Sequence, residues 1–135
     1  MTLISYSNNG STPFQKLLGH NASVMEKWNS LSEELEKDGY LSAALKEQVR
    51  RTLAQENGCE YCKAKGKPDP KNYDEKITLS IGFAQAFLFS KGKTSPAVVN
   101  VLKEHLSDEE ISELIAFICF ATASQYFGAL MQLQP

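Results

Sequence analysis

Residues 42–62 read Ser42-Ala-Ala-Leu-Lys-Glu-Gln-Val-Arg-Arg-Thr-Leu-Ala-Gln-Glu-Asn-Gly-Cys-Glu-Tyr-Cys62, and this stretch decides how the chain folds. Ser42 suits a helix N-cap, because its short side-chain oxygen can accept from a backbone N–H that the first turn leaves unpaired. Leu45, Val49 and Leu53 then recur at helical spacing with Ala54 beside them, which makes one face apolar. Asn57-Gly58 ends the helix, since glycine enters the left-handed conformation without a Cβ clash. A short second helix is predicted from Cys59 or just before it, failing by Gly66-Lys67-Pro68. No segment of the chain alternates apolar and polar residues with a period of two, so the expected fold class is all-α.

The same logic extends in both directions. Upstream, Val24, Trp28, Leu31 and Leu35 form one stripe on a helix predicted over Asn21–Lys37, stopped by Asp38-Gly39. Residues 1–13 read as an irregular arm and Phe14–Leu18 as a short turn of helix. Downstream, the Pro and Asn content of residues 68–73 marks a loop. Asp74 opens a helix to about Ser90, with Ile77, Ile81, Ala84 and Leu88 on one face. Lys91–Ser95 is a turn, and Pro96 behind Ser95 stands in the favoured first helical position of a helix ending near His105. Ser107 and Glu110 form a capping box for the last helix. That helix is apolar on nearly every side from Leu114 to Ala121, so it needs cover all round. A central core position and a subunit interface would serve equally. Phe83, Phe87 and Phe89, on more than one face of their helix, add to the apolar excess. The expectation is one domain over residues 1–135, with about six helices.

Composition fixes the class of molecule. A chain of 135 residues, 42% hydrophobic and 22% charged, matches a single globular domain rather than a disordered or fibrous one. The net charge is −2, and no basic tract offers the face that phosphate neutralisation requires, so nucleic acid is excluded as an expected partner. The N-terminus lacks the basic and apolar regions of a secretory signal. The unbroken apolar run Leu114–Ala121 falls well short of the ~20 residues a bilayer span requires. A cytoplasmic location without a membrane partner is therefore expected. Three cysteines, odd in number and sparse, do not make a secreted disulfide scaffold.

Cys59 and Cys62 are the candidate functional residues. On a helix, thiols three residues apart share a face with Cα atoms roughly 5 Å apart, within reach of a disulfide. A helix start presents unpaired N–H groups and the positive end of the dipole, both of which favour the thiolate. Lys63 and Lys65 add positive charge nearby. Three readings follow: a redox dithiol, half of a zinc site, or an inert buried pair. Zinc wants four ligands, and Cys119, His20 and His105 offer no finger-like spacing. The helix-start position argues against inertness. Cys119, inside the apolar run, reads as a core thiol. His20 reads as a capping or surface residue, and His105 as a helix C-terminal residue complementing the dipole.

Glu47 ahead of Asn57-Gly58-Cys59-Glu60-Tyr61-Cys62 resembles the core motif of the AhpD-like alkylhydroperoxidase and carboxymuconolactone decarboxylase superfamily. Leu18-Gly19-His20 before the Trp28 helix, Gly39-Tyr40-Leu41, Tyr73–Lys76 and His105–Glu110 resemble its flanking pattern, so the likeness covers roughly residues 14–130. The resemblance implies an all-helical, commonly trimer-based homo-oligomer without a cofactor. It also implies a peroxide or disulfide substrate and an outside thiol or protein reductant. Cys62 would be the attacking thiolate, Cys59 the resolving thiol and Glu47 the proton-relay carboxylate. The family's histidine is missing: Gly66 stands at its position, and Glu60 and Tyr61 stand between the cysteines. A non-enzymatic helical assembly or a redox sensor is the alternative this departure favours. The decarboxylase branch generally lacks the cysteine pair, and the chain's only arginines are Arg50 and Arg51. Taken without the resemblance, Glu47 is a solvated charge beside Lys46 and Arg50. About 16 Å of helix separates it from Gly58, so the next helix must cross back for the carboxylate to approach Cys62.

Overall fold

Short polar side chains set most of the helix starts. The computed structural model describes residues 1–135 and contains seven α-helices and no strand. They are α1 (Pro13–Leu18), α2 (Ala22–Glu36), α3 (Ala43–Glu56), α4 (Glu60–Lys63), α5 (Glu75–Ser90), α6 (Pro96–His105) and α7 (Asp108–Leu130), with a 3-10 turn at Pro70–Asn72. Asn21, Ser42, Asp74 and Ser107 each accept the N–H three residues on. Ser95 makes no such bond, and Pro96 opens α6 alone. The short helical turn expected at Phe14–Leu18 is present as α1, started by a reciprocal capping box between Thr12 and Gln15. Gly58, at φ +80°, breaks the chain between α3 and α4 as its position required.

α3 is the centre of the fold and packs chiefly against α5, then against α7. Its Leu45, Val49 and Leu53 join Ile77, Ile81, Phe83 and Ala84 of α5 and Leu114, Phe117, Ile118 and Ala121 of α7 in a cluster of 14 buried residues, which Leu41, Leu102 and Leu106 complete. By length and composition α7 could cross a membrane. Here it is a core helix on one side only. Ile115, Ala116 and Cys119 are exposed, so Cys119 is a surface thiol rather than the core thiol its apolar neighbours suggested. Phe83 is buried, whereas Phe89 is 93% exposed.

α2 departs from the expected stripe. None of its residues is fully buried, and Val24 and Leu31 are exposed. It leans on the rest of the molecule through Trp28, whose ring lies 5.4 Å from that of Phe120 and 6.0 Å from that of Phe127. The indole N–H donates to Ser124 Oγ at 3.1 Å.

One charge is buried to hold the α2–α3 connection. Lys46 is 1% exposed; its ammonium donates to the Lys37 carbonyl at 2.8 Å and lies 3.3 Å from Glu113 of α7. The same Glu113 oxygen accepts the Leu41 N–H at 2.8 Å. Burial pushes the Glu113 pKa up, but the Leu41 N–H and the Lys46 ammonium outweigh it, and the net shift is downward from 4.5.

Candidate functional site

The turn at Gly58 makes Cys59 the N-cap of α4 and brings Cys62 onto the same side one turn later. The two are joined as a disulfide with Cα atoms 5.2 Å apart. The Cys62 N–H points at Cys59 Sγ, 3.2 Å away. The helix-start contribution expected for the thiols therefore falls on Cys59, and a four-residue helix has little dipole to add. Ala54 lies beside the pair, and Ala129 packs against it. Gly128 of α7 presses closest: a Cβ there would lie 2.5 Å from Cys59 Sγ and 3.5 Å from Cys62 Sγ. No larger residue fits that position without moving the sulfurs.

The two cysteines differ in access. Cys59 is 1% exposed and Cys62 7%. Of the two, only Cys62 lines the adjoining cavity, a space of about 240 Å³ between α1, α2, α3, α4 and α7. Its lining is largely aromatic, with Phe14, Trp28, Tyr61, Phe117 and Phe120 contributed by four helices. Arg50 and Lys65 bring positive charge, and Ser124 and Gln125 bring polar groups from α7.

Arg50 ties α3 to the cysteine turn. Its Nη1 donates to the Cys62 carbonyl at 3.1 Å, while Nε and Nη2 engage the Glu47 carboxylate. Arg51 Nε stands 3.5 Å from the other side of that carboxylate. Glu47 is thus clamped by two guanidinium groups and does not line the cavity. Arg50 bridges Glu47 to the backbone of the cysteine turn, and the carboxylate itself contacts the two arginines rather than Cys62. Gln125 completes the scaffold. Its amide donates to the Arg50 carbonyl at 3.2 Å in half-buried surroundings, and its oxygen accepts from buried Asn57 Nδ2 at 2.8 Å.

Lys65 extends over the Tyr61 ring, 4.9 Å from its centroid. Loss of water around its ammonium, then the charge of Arg50, holds its pKa below the usual lysine value. Gly66 has φ +131°, and a Cβ there would lie 3.2 Å from the Arg51 guanidinium carbon. His20 is exposed and contacts the Ser5 carbonyl of the N-terminal arm at 2.6 Å. His105 is exposed at the end of α6. Neither histidine lines the cavity. No three His, Cys, Asp or Glu side chains that could hold a metal come together.

Arg50, Gln125 and Gly128 escaped the reading of the sequence. A glutamine within a long apolar helix was the one available signal, since buried polar side chains need partners. Nothing about Gly128 alone marks it as the floor under a disulfide. No family model matches the chain, and no curated protein matches it.

Proposed function

We propose that this chain is a thiol oxidoreductase in which Cys62 attacks and Cys59 resolves. The observation that carries this reading is the asymmetry of the pair: two sulfurs at bonding distance, of which only Cys62 opens onto a cavity lined by two cations. Positive charge favours the thiolate, which is the reactive form. The Cys62 thiolate attacks the outer oxygen of a hydroperoxide. An S–O bond forms, the O–O bond breaks, and the alkoxide leaves as the alcohol after taking a proton. The Cys59 thiol then condenses with the Cys62 sulfenic acid, forming the disulfide and releasing water. The two electrons come from the dithiol, and an external thiol or protein reductant restores it. An external disulfide can replace the peroxide through a mixed disulfide at Cys62.

Glu47, the counterpart of the family's relay carboxylate, is proposed to take the thiol proton and return it to the leaving oxygen through solvent, while its clamp on Arg50 positions the cysteine turn by way of the Cys62 carbonyl. The sequence resemblance to the AhpD-like superfamily supports the same roles and a trimer-based homo-oligomer, and a cytoplasmic location is proposed from the sequence reading of the N-terminus and the short apolar run. The exposed apolar side chains Ile115, Tyr126 and Leu130 of α7 and Phe89 of α5 support self-association.

Mass spectrometry of the reduced protein before and after one equivalent of peroxide tests this reading. The expected result is loss of two hydrogens confined to the peptide holding Cys59 and Cys62, with peroxide consumption abolished in Cys62→Ser. Wild-type consumption by Cys62→Ser overturns it. A redox sensor is the second reading, favoured by Gly66 in place of the family histidine. It predicts disulfide formation with each peroxide equivalent but no sustained turnover with any thiol reductant.

A further inference from the structure

Cys62 forms only one corner of its cavity, and the rest of the lining has a chemistry of its own. The aromatic walls favour a flat apolar body, because rings pack face or edge against rings. Trp28 is fixed by its bond to Ser124, so that wall is already formed without a ligand. At about 240 Å³ the space is smaller than the ~300–1,000 Å³ of sites for drug-sized ligands, so it suits a small molecule.

One of its two cations has no ion-pair partner. The guanidinium of Arg50 is occupied by Glu47 and the Cys62 carbonyl. Lys65 takes part in no ion pair of the chain, and its recorded neighbour is the face of Tyr61. Glu36, exposed near the end of α2, is the one acid in the lining. Lys65 itself is exposed, so its ammonium stands at the open side of the cavity within reach of an entering ligand. A carboxylate at this corner would meet an ammonium that no protein carboxylate holds.

We propose that the cavity binds a small organic acid, with its flat apolar body against Trp28 and Phe120 and its carboxylate on Lys65. Resting on the redox reading above, this makes the substrate a carboxylate-bearing organic hydroperoxide rather than hydrogen peroxide or a neutral alkyl hydroperoxide. Lys65 orients the molecule, and Cys62 faces its reactive end.

Trp28 is the only tryptophan in the chain, so its fluorescence reports directly on the cavity. The disulfide form is titrated with phenylpropanoate, phenylpropanol and phenylpropylammonium, three unreactive probes of one shape and different charge. The carboxylate is expected to bind roughly threefold to fivefold more tightly than the alcohol, as a partly exposed ion pair allows, with the ammonium weakest. Lys65→Met should bring carboxylate and alcohol to equal affinity, while Lys65→Arg keeps them apart. Equal affinities in the wild type, no change in Trp28 emission with any probe, or a preference that survives Lys65→Met would each overturn the proposal. Binding to the oxidised protein involves no turnover. Its failure is therefore distinct from failure of the redox reading, which shows instead as peroxide consumption that persists in Cys62→Ser.

Discussion

Gly128 and Gly82 sit in long helices, yet alanine should act on them in opposite directions. A Cβ at Gly82 meets nothing within 4 Å, so Gly82→Ala should raise stability by about 0.5–1 kcal/mol through helix propensity alone. A Cβ at Gly128 meets Cys59 Sγ at 2.5 Å, and a disulfide cannot swing aside as a free side chain would. Overpacking of this kind costs about 1–3 kcal/mol. Gly128→Ala should therefore lose stability on balance in urea unfolding of the oxidised protein. Glu47 poses a second question at the same scale, because a carboxylate clamped by Arg50 can either carry protons or simply hold the guanidinium. Iodoacetamide alkylation of reduced Cys62 against pH separates the two roles. Arg50→Met should move the alkylation profile to higher pH, since the nearby cation is gone. A proton-relay Glu47 predicts that Glu47→Gln lowers peroxide turnover while its alkylation profile stays with the wild type. A shared upward shift in both variants would make Glu47 a positioning residue.

Among the elements, the α2–α3 connection depends on one buried ion pair. Removing one partner of such a pair leaves the other uncompensated, at a cost of about 3–5 kcal/mol. Lys46→Met should fall in that range, as Glu113 and the Lys37 carbonyl would both lose their ammonium. The Glu113 pKa is lower in the folded protein than its ordinary 4.5. Its contribution is therefore complete above pH 4.5 and disappears as the pH falls through the folded value. Wild-type stability should drop below pH 4.5 more steeply than that of Glu113→Gln, read from urea midpoints across that range. α2 itself is held differently. It has one stacked and hydrogen-bonded tryptophan rather than a buried stripe, which leaves Val24 and Leu31 in solvent.

For the whole molecule, the unfilled demand is the outer face of α7. Leu114, Phe117, Ile118 and Ala121 enter the core, while Ile115, Tyr126 and Leu130 remain uncovered, and Phe89 shares an open groove with Tyr126. If copies of the chain associate through this face, Phe89→Ser with Leu130→Ser should convert the oligomer to monomer in light scattering without loss of helical signal by circular dichroism. A wild type that elutes as a monomer at all concentrations would remove the oligomer from the proposal.

The helices were legible in the sequence because their signals are local: caps at Ser42, Asp74 and Ser107, the stop at Gly58, and apolar spacing along α3 and α5. So was the proximity of Cys59 and Cys62, which one turn of backbone guarantees. Local spacing also marks which side chains share a face, but not how much of that face a neighbour covers, and so it misjudged Val24, Leu31 and Cys119. Only the packing of α7 against α4, with α2 across the space from it, decided that Cys62 opens to a cavity while Cys59 is sealed beneath Gly128. The same packing placed Arg50 between Glu47 and the cysteine turn. Caps and turns form between residues a few positions apart. Access, charge environment and floor depend on groups brought together from distant parts of the chain, and no short window of sequence contains them.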